Sequence, residues 1–570
     1  MDETAVADLT QQVTQAKELA QLCWLLVSSA LVLFMQAGFA CLEAGSVRHK
    51  NSINVAIKNL VDMCASVPAF FIIGYSLMFG DDLYGFIGKP TLFLSNLTPK
   101  DMAMFFFQVT FCATGATIVS GGVAERCRFL PYVIMSVGIG LFIYPVFGHW
   151  VWASGPGQGW LSKLGYHDFA GSSVVHMLGG GVALAGIQVL GPRIGRFDKD
   201  GKSRPIPPSS IPLSACGAFI LVFGWIGFNG GSAPLGEMTA TIIVNTILAA
   251  CFGGSLAMLI NWAYSGTVSV EMVINGMLGG LVAITANCDC VTLTAASIIG
   301  MFGGMSVVVG TYVLERLQLD DAVGAVPVHF FGGITGIILT GVFGDMAILG
   351  PESTRLHVIG VQCLGALVCG IWSYATGRIL WQVTGLISKL RVGELEERVG
   401  MNFSEHQVED SIQDLTDTVV AASKGLHLNG QTLEMFEKFR DSENARLARA
   451  VQDLAGKAQD QITVARKFTS SIAELKQSLM DERLKGQESV GRARKQSEDA
   501  AKILDNLIQF LQTHHRAHML FPVFLDLATT LRDRLTVLSE TLPGTARCWE
   551  NVGQTASRLD GMAIVLADRR

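Results

Sequence analysis

Eleven apolar stretches of about 20 residues constrain the fold of this chain more than any other feature. Such stretches cross a bilayer as helices, because a helix satisfies its own backbone polar groups where water is absent. Half of the 570 residues are hydrophobic and 62 are glycine. These observations exclude a soluble globular protein and predict an all-α polytopic membrane domain over 22–390. We predict spans at 22–45, 53–79, 103–123, 130–151, 171–190, 211–230, 238–262, 270–286, 293–314, 324–344 and 357–386.

The basic residues between the spans predict the orientation of the chain. Alternate loops carry most of the lysines and arginines, including five in 191–210, and such loops face the cytoplasm. We therefore expect a cell inner (plasma) membrane protein with residues 1–21 outside and the C-terminus in the cytoplasm. The first 20 residues are polar and acidic, without the basic region of a signal peptide, so we expect no cleavage by that route.

The carboxyl-terminal part differs in composition from the rest of the chain. Residues 391–570 contain 51 of the 90 charged residues but only 10 of the 62 glycines. We predict a cytoplasmic linker over 391–420 and a helical extension over 421–570. Within that extension, apolar residues spaced by three or four over 435–512 indicate a coiled coil or a helical hairpin.

Two of the spans carry the same short pattern. The fifth contains "VVHMLGG" and the tenth "PVHFFGG", which place His176 and His329 at equivalent positions. Two halves of five helices would make an inverted repeat, with the histidines facing each other near the membrane midplane. A single buried histidine is compatible with ordinary packing, but a pair at equivalent positions indicates a pathway for protons or a polar solute. Two imidazoles alone are too few ligands for a metal.

Six motifs in order resemble the ammonium transporter (Amt/Mep/Rh) family. They are "MQAGFACLEAGSVRHKN" (35–51), "FFFQVTFCATGATIVSGGVAER" (105–126), "FGHWVWASGPGQGW" (147–160), "DFAGSSVVHMLGG" (168–180), "FGWIGFNGGSA" (223–233) and "LDDAVGAVPVHFFGGITG" (319–336). The resemblance covers about 22–405. It implies eleven helices per subunit and a homotrimer with one pore in each subunit.

The resemblance also implies functional residues. The pore-lining pair would be His176 and His329, and the pore gate would be Phe111 and Phe228. The residues expected to bind the substrate at the outer mouth share positions in the family motifs: Trp152, Phe107, Ser232 and Asp168. Without the resemblance, the aromatic residues are equally compatible with packing or an interfacial belt, and Ser232 with close helix packing.

Acidic residues flank two of the motifs. Asp168 stands at the start of the fifth span, where we expect it to cap the helix and add negative potential near a cation. We expect Asp320 and Asp321 to cap the tenth span equivalently. Glu125 and Arg126 are predicted to form an ion pair at the cytoplasmic edge.

Two function classes remain open at this stage. One is a transporter that recruits ammonium outside, removes its proton and conducts ammonia past the twin histidines. The other is an ammonium sensor that signals through the extension to a cytoplasmic partner. A methylammonium or CO2 transporter is a third, less favoured class. The extension has no kinase or cyclase motif and no catalytic cluster, so we predict no enzyme.

The expected partners follow from these hypotheses. They are ammonium or ammonia, the lipid bilayer and two further copies of the chain, with no cofactor, metal or nucleic acid. Docking of a PII-type regulator is in doubt, because "MNFSEHQ" (401–407) has Gln407 where the family has glycine. Cys288 and Cys290 leave a loop disulfide or a weak metal site open, and "THHRAH" (513–518) a phosphorelay or a metal role.

Overall fold

A computed structural model describes residues 3–95, 97–153 and 158–408, together with 502, 529, 530, 532, 533 and 536. Residues Met1–Asp410 form one compact unit and Ser411–Arg570 a second. Nearly all of the extension with its predicted helices, the "THHRAH" stretch and residues 409–420 of the predicted linker lie outside the described residues.

Eleven helices of the described part coincide with the eleven predicted stretches. They are α1 (Glu3–Ser46), α2 (His49–Phe79), α3 (Pro99–Val123), α4 (Phe129–Trp152), α5 (Ser172–Leu190), α6 (Ile211–Gly230), α7 (Glu237–Ser265), α8 (Val270–Ile284), α9 (Leu293–Arg316), α10 (Val326–Phe343) and α11 (Arg355–Ile387). Ten of them are long and apolar enough to cross a membrane. The exception is α8, whose 15 residues extend about 22 Å at 1.5 Å per residue.

The first helix begins much earlier than predicted. The sequence indicated a span from residue 22, preceded by a separate extracellular segment, but α1 is continuous from Glu3. Residues 3–21 contain no proline or glycine and are rich in alanine and glutamine. These residues have high helix propensity, so nothing in the sequence stops the helix at the point where the apolar stretch begins.

Polar residues define the starts of several helices. Thr98 and Asp101 form a reciprocal capping box before α3, with Pro99 in the first turn. Ser210 caps α6, and Thr292 caps α9, by accepting a backbone N–H bond. A short hairpin, β1 (Asp82–Leu83) with β2 (Ile87–Gly88), lies between α2 and α3. These caps satisfy donors that a helix end would otherwise leave unpaired.

Equivalent helices of the two halves pack on each other. α1 and α6 are in extensive contact, and the first part of each of α5 and α10 packs against the other helix. A Cβ atom at Gly180 would lie 2.6 Å from the Phe330 backbone nitrogen, and one at Gly333 would lie 2.6 Å from the Ser172 carbonyl oxygen. The second glycine after each histidine therefore lets α5 and α10 approach more closely than any side chain would allow.

Buried ion pairs join the loops on the predicted inner face. Arg193 is 5% exposed, donates to both carboxylate oxygens of Asp320 at 2.8 and 2.9 Å, and also binds Glu125. Glu125 is paired with Arg48 as well. Arg126 instead donates to backbone carbonyls, including that of Gly191 at 2.9 Å. The predicted Glu125–Arg126 pair is therefore wrong. The predicted capping role of Asp320 is also wrong, because Arg193 binds both of its carboxylate oxygens.

This network shifts the titration of its acids. Burial alone would raise the pKa of the Asp320 carboxyl, but the bonds and charge of Arg193 outweigh it, and the pKa lies well below its usual range. Burial likewise opposes the pull of Arg193 and Arg48 on Glu125, whose pKa is also lowered. Both acids therefore remain charged and paired with Arg193.

The first part of the predicted linker packs against the predicted inner face. It forms two short helices, α12 (Glu394–Val399) and α13 (Met401–His406). Arg391 bonds to Glu397, and Asn54 of α2 bonds to both Asn402 and His406. Gln407 closes α13 in the left-handed region, with φ of 54°, which costs a non-glycine residue roughly 1–2 kcal/mol. Gln407 thus occupies a left-handed backbone position of the kind that favours glycine, the residue expected here from the family resemblance.

We predict that Arg193→Met destabilises the membrane domain by about 3–5 kcal/mol, because it leaves Asp320 and Glu125 buried without their cation. Thermal unfolding in detergent measures the effect. In the unsubstituted protein the lowered carboxyl pKa values stabilise the fold at neutral pH, and this stabilisation is lost as the pH falls below about 4. Arg204→Met, an exposed arginine in the same loop, is the control. Equal unfolding temperatures for the two variants would contradict the prediction.

Candidate functional site

Two carboxylates cap α5 and α10 in the same way. Asp168 accepts backbone N–H bonds of 2.8–3.0 Å from residues 171–174 and a bond from the Ser173 hydroxyl. Asp321 accepts backbone N–H bonds of 2.7–3.4 Å from residues 323–326. Each aspartate precedes a glycine in the left-handed region, Gly171 with φ of 112° and Gly324 with φ of 84°. The capping prediction is therefore confirmed for Asp321.

Each cap is followed by a π-helical turn that contains a histidine. The turns are Ser172–Met177 and Val326–Phe331, and such turns within α-helices often occur at functional sites. They bring His176 and His329 together, with the two Nδ1 atoms 3.2 Å apart and the ring planes inclined by 18°. Both residues are buried, with 0% and 5% exposure.

The Nδ1–Nδ1 hydrogen bond restricts the protonation of the pair. If both rings are neutral, one Nδ1 carries the proton and the other accepts it. The ring that donates through Nδ1 has a bare Nε2, and the other ring has a protonated Nε2. The Nε2 atoms therefore always comprise one acceptor and one donor. Nε2 of His176 is buried without a hydrogen-bond partner in the described part of the chain, so it is free to contact a small polar solute.

Two stacked phenylalanines lie next to the histidines. The rings of Phe111 and Phe228 are 3.9 Å apart with planes inclined by 17°, and both side chains are buried. Phe228 in turn lies 5.3 Å from the ring of His176. The described geometry thus closes the approach to the histidine pair with an aromatic stack.

The remaining predicted residues surround the other side of this stack. The Phe107 ring is 4.6 Å from that of Phe111, and the half-buried Trp152 ring meets Phe111 edge-on at 6.2 Å. The Trp152 indole N–H donates to the Asp168 carbonyl oxygen at 2.7 Å. The Ser232 hydroxyl donates to the Phe228 carbonyl at 2.9 Å, which leaves its oxygen lone pairs available. The carboxylate of Asp168 is occupied by its cap, so this residue reaches the aromatic group through its carbonyl.

Comparison with known proteins identifies this arrangement. Residues 23–411 match the profile of the Ammonium Transporter Family. The chain belongs to this family.

Relatives with known names support the assignment. Ammonium transporter Amt2 of Archaeoglobus fulgidus is 42% identical over 408 residues, covering 67% of this chain and 86% of the relative. Ammonium transporter Amt2 of Methanocaldococcus jannaschii is 40% identical over 412 residues, covering 71% of this chain and 94% of the relative. Among solved structures, a protein described as a sensor Amt protein is similar with a TM-score of 0.67 and 36% identity, covering 69% of this chain and all of that one. The structure of Candida albicans Mep2 is similar with a TM-score of 0.60 and 28% identity, covering 66% of this chain and 87% of that one.

The structure of this ammonium transporter family member also reveals two aromatic residues that the sequence did not single out. Trp225 stacks on His176 at 5.0 Å and donates its indole N–H to Thr285. Phe39 lies 6.3 Å from the ring of His329 on the other side of the pair. The position of Trp225, three residues before Phe228 on a helix, is a signal that could have identified it, because residues at this spacing share a face.

A buried polar network lies beside the histidines, between α1, α2, α3 and α4. Glu43 accepts from Ser120 at 2.5–2.6 Å and from Asn59 at 2.9 Å. Asp62 accepts from the Tyr132 hydroxyl at 2.6 Å and has Thr117 at 3.1 Å. All of these side chains are buried. Ionisable residues at this depth are costly and commonly mark ion or proton pathways.

Two features of this network bear on its relation to the histidine pair. Gln36, which accepts from Thr117, and Glu43 are separated on α1 by Phe39, the residue in contact with His329. Nε2 of Gln36 and Oδ1 of Asn59 are buried and have no partner within the described residues. Buried polar atoms are nearly always satisfied, so bound water is the partner that these atoms call for.

The two cysteines on the predicted outer face do not form a disulfide with each other. Cys288 and Cys290 are both buried free thiols, so the alternative of a disulfide between them is wrong. One group of metal-ligand type occurs among the described residues, and it comprises His167, Asp289 and Cys290.

Proposed function

We propose that this protein is an ammonium transporter that releases the substrate's proton before the membrane crossing and conducts ammonia past His176 and His329. The observation that carries the proposal is the hydrogen-bonded histidine pair, buried directly below the stacked Phe111 and Phe228. In this proposal α8 is an eleventh span, three copies form a homotrimer, and the N-terminus lies outside the cell. The homologues are named as transporters, which agrees with a protein that is not an enzyme.

Recruitment of ammonium takes place at the outer aromatic group. A small cation is attracted to the faces of Trp152 and Phe107, and the Ser232 oxygen accepts one of its N–H bonds. Asp168 contributes by holding Trp152 through its carbonyl and by adding a negative charge to the outer mouth. The substrate at this position lies next to Phe111, the outer ring of the gate.

Desolvation decides which species crosses. An intact ammonium ion in a dry apolar passage loses hydration that two neutral imidazoles do not replace. Neutral ammonia loses far less. It also matches the histidine pair, since it donates to the bare Nε2 and accepts from the protonated one.

We predict that replacing both His176 and His329 with leucine abolishes ammonium-driven current in proteoliposomes, down to the level of empty vesicles. Leucine removes the donor and the acceptor that ammonia needs inside the passage. His357→Leu, an exposed histidine at the start of α11, is the matched control and retains the current. Undiminished current in the double variant would contradict the pore assignment.

Net uptake of charge requires a path for the released proton. The histidine pair is one such path, and the buried network of Glu43 and Asp62 is the other. The network is favoured by its two carboxylates and by the buried, unpartnered atoms of Gln36 and Asn59, which bound water would satisfy. Protons move along such chains of carboxylates and waters inside membrane proteins.

We predict that the double variant Glu43→Gln, Asp62→Asn loses ammonium-driven current to near background but still admits ammonia. The amides keep the shape of the network and one acceptor oxygen each, but they do not titrate. Current and luminal alkalinisation are recorded in vesicles loaded with a pH dye, with the exposed Glu237→Gln as the control. Unchanged current, or loss of both signals, would show that the proton does not use this network.

A sensor is the second candidate, and one observation favours it. The structural relative described as a sensor Amt protein is similar over its whole length. In this alternative, ammonium occupancy of the membrane domain is reported through residues 421–570 to a cytoplasmic signalling partner. Gln407 and the long extension make this partner a better candidate than a PII-type regulator.

Current recorded with and without residues 420–570 separates the two candidates. A transporter with a regulatory extension gives ammonium-driven current in both forms. Absence of current in both, together with retained ammonium binding by calorimetry, would establish the sensor and overturn the transport proposal.

A further inference from the structure

Three donor side chains converge on the predicted outer face, beside the loop that leads into α5. His167 Nε2 lies 3.2 Å from a carboxylate oxygen of Asp289, and these atoms and the Cys290 sulfur all lie within 4.8 Å of one another. Distances of this size separate the ligands of one metal ion. We propose that His167, Asp289 and Cys290 bind a divalent transition metal of the zinc class.

The backbone around these side chains is held in place before any ion binds. Gln362 of α11 accepts from the His167 backbone N–H and donates to its carbonyl. Asn245 of α7 donates to the carbonyl of Cys288, and the Asp345 backbone N–H donates to that of Cys290. A site whose ligands are already positioned in this way avoids much of the ordering cost of binding.

The donor set selects the class of metal. One imidazole, one carboxylate and one thiol are a set that zinc accepts, whereas calcium and magnesium prefer oxygen ligands alone. On binding, the Cys290 thiol releases its proton to solvent as the metal–sulfur bond forms. The hydrogen bond between His167 and Asp289 is replaced by a metal bond from each, and the proton on His167 Nε2 moves to Nδ1 through solvent. Three protein ligands leave a fourth position for water.

The position of the site suggests what the metal does. His167 belongs to the first half of the repeat, whereas Asp289 and Cys290 lie between α8 and α9 of the second half. A bound ion therefore joins the two halves. It also fixes the residue before Asp168, which caps α5 and holds Trp152. Entry is from the solvent side, where the His167 side chain is 24% exposed.

The test uses the full chain in detergent, titrated calorimetrically with Zn²⁺. We expect the wild-type protein to bind one more equivalent per subunit than His167→Asn, and His357→Asn to match the wild type. The histidines of "THHRAH" are present in every variant, so they cancel in the comparison. Equal stoichiometry in all three proteins would overturn the proposal.

Two further readouts do not depend on activity. Co²⁺ in place of Zn²⁺ should give an ultraviolet thiolate-to-metal band in the wild type that disappears in Cys290→Ser. In the wild type, Zn²⁺ should slow alkylation of Cys290, followed by mass spectrometry of its peptide, while the exposed Cys23 serves as the internal reference. Absence of the band, or alkylation of Cys290 at an unchanged rate, would exclude the thiol as a ligand and overturn the proposed site.

Discussion

The contact between the first turns of α5 and α10 is the constraint on which the rest of the structure depends. Each helix is preceded by an aspartate that accepts hydrogen bonds from four backbone N–H groups at the helix start, so these donors are satisfied without water. Gly180 and Gly333 then allow close approach, and the approach brings His176 and His329 into hydrogen-bond distance. Without these caps and glycines the histidines would have no fixed relation to each other.

The low dielectric around this contact connects geometry with chemistry. In a passage lined by Phe111, Phe228 and Trp225, an ion is penalised much more than a neutral molecule. The same environment makes the two buried carboxylates of Glu43 and Asp62 expensive to retain. An apolar passage around the histidines with buried acids beside it supports the proposed transporter, which separates ammonia from its proton.

The sequence predicted much of this arrangement, for identifiable reasons. The apolar stretches located the eleven helices α1–α11. The internal repeat located the histidine pair before any family resemblance was considered. The early start of α1 was missed, because hydropathy marks the apolar core of a helix and not its polar continuation. The Glu43 and Asp62 network was missed because its partners come from four helices and share no spacing in the sequence. The partner of Asp320, the distant Arg193, was missed for the same reason.

We propose that the species crossing the membrane is uncharged, and a measurement of potassium current can distinguish this from conduction of the intact ion. Potassium is close to ammonium in size but has no proton to lose, so a pore for the intact ion would conduct both. In proteoliposomes that show ammonium-driven current, the account predicts that a potassium gradient drives no current above that of empty vesicles. A potassium current comparable with the ammonium current would contradict it.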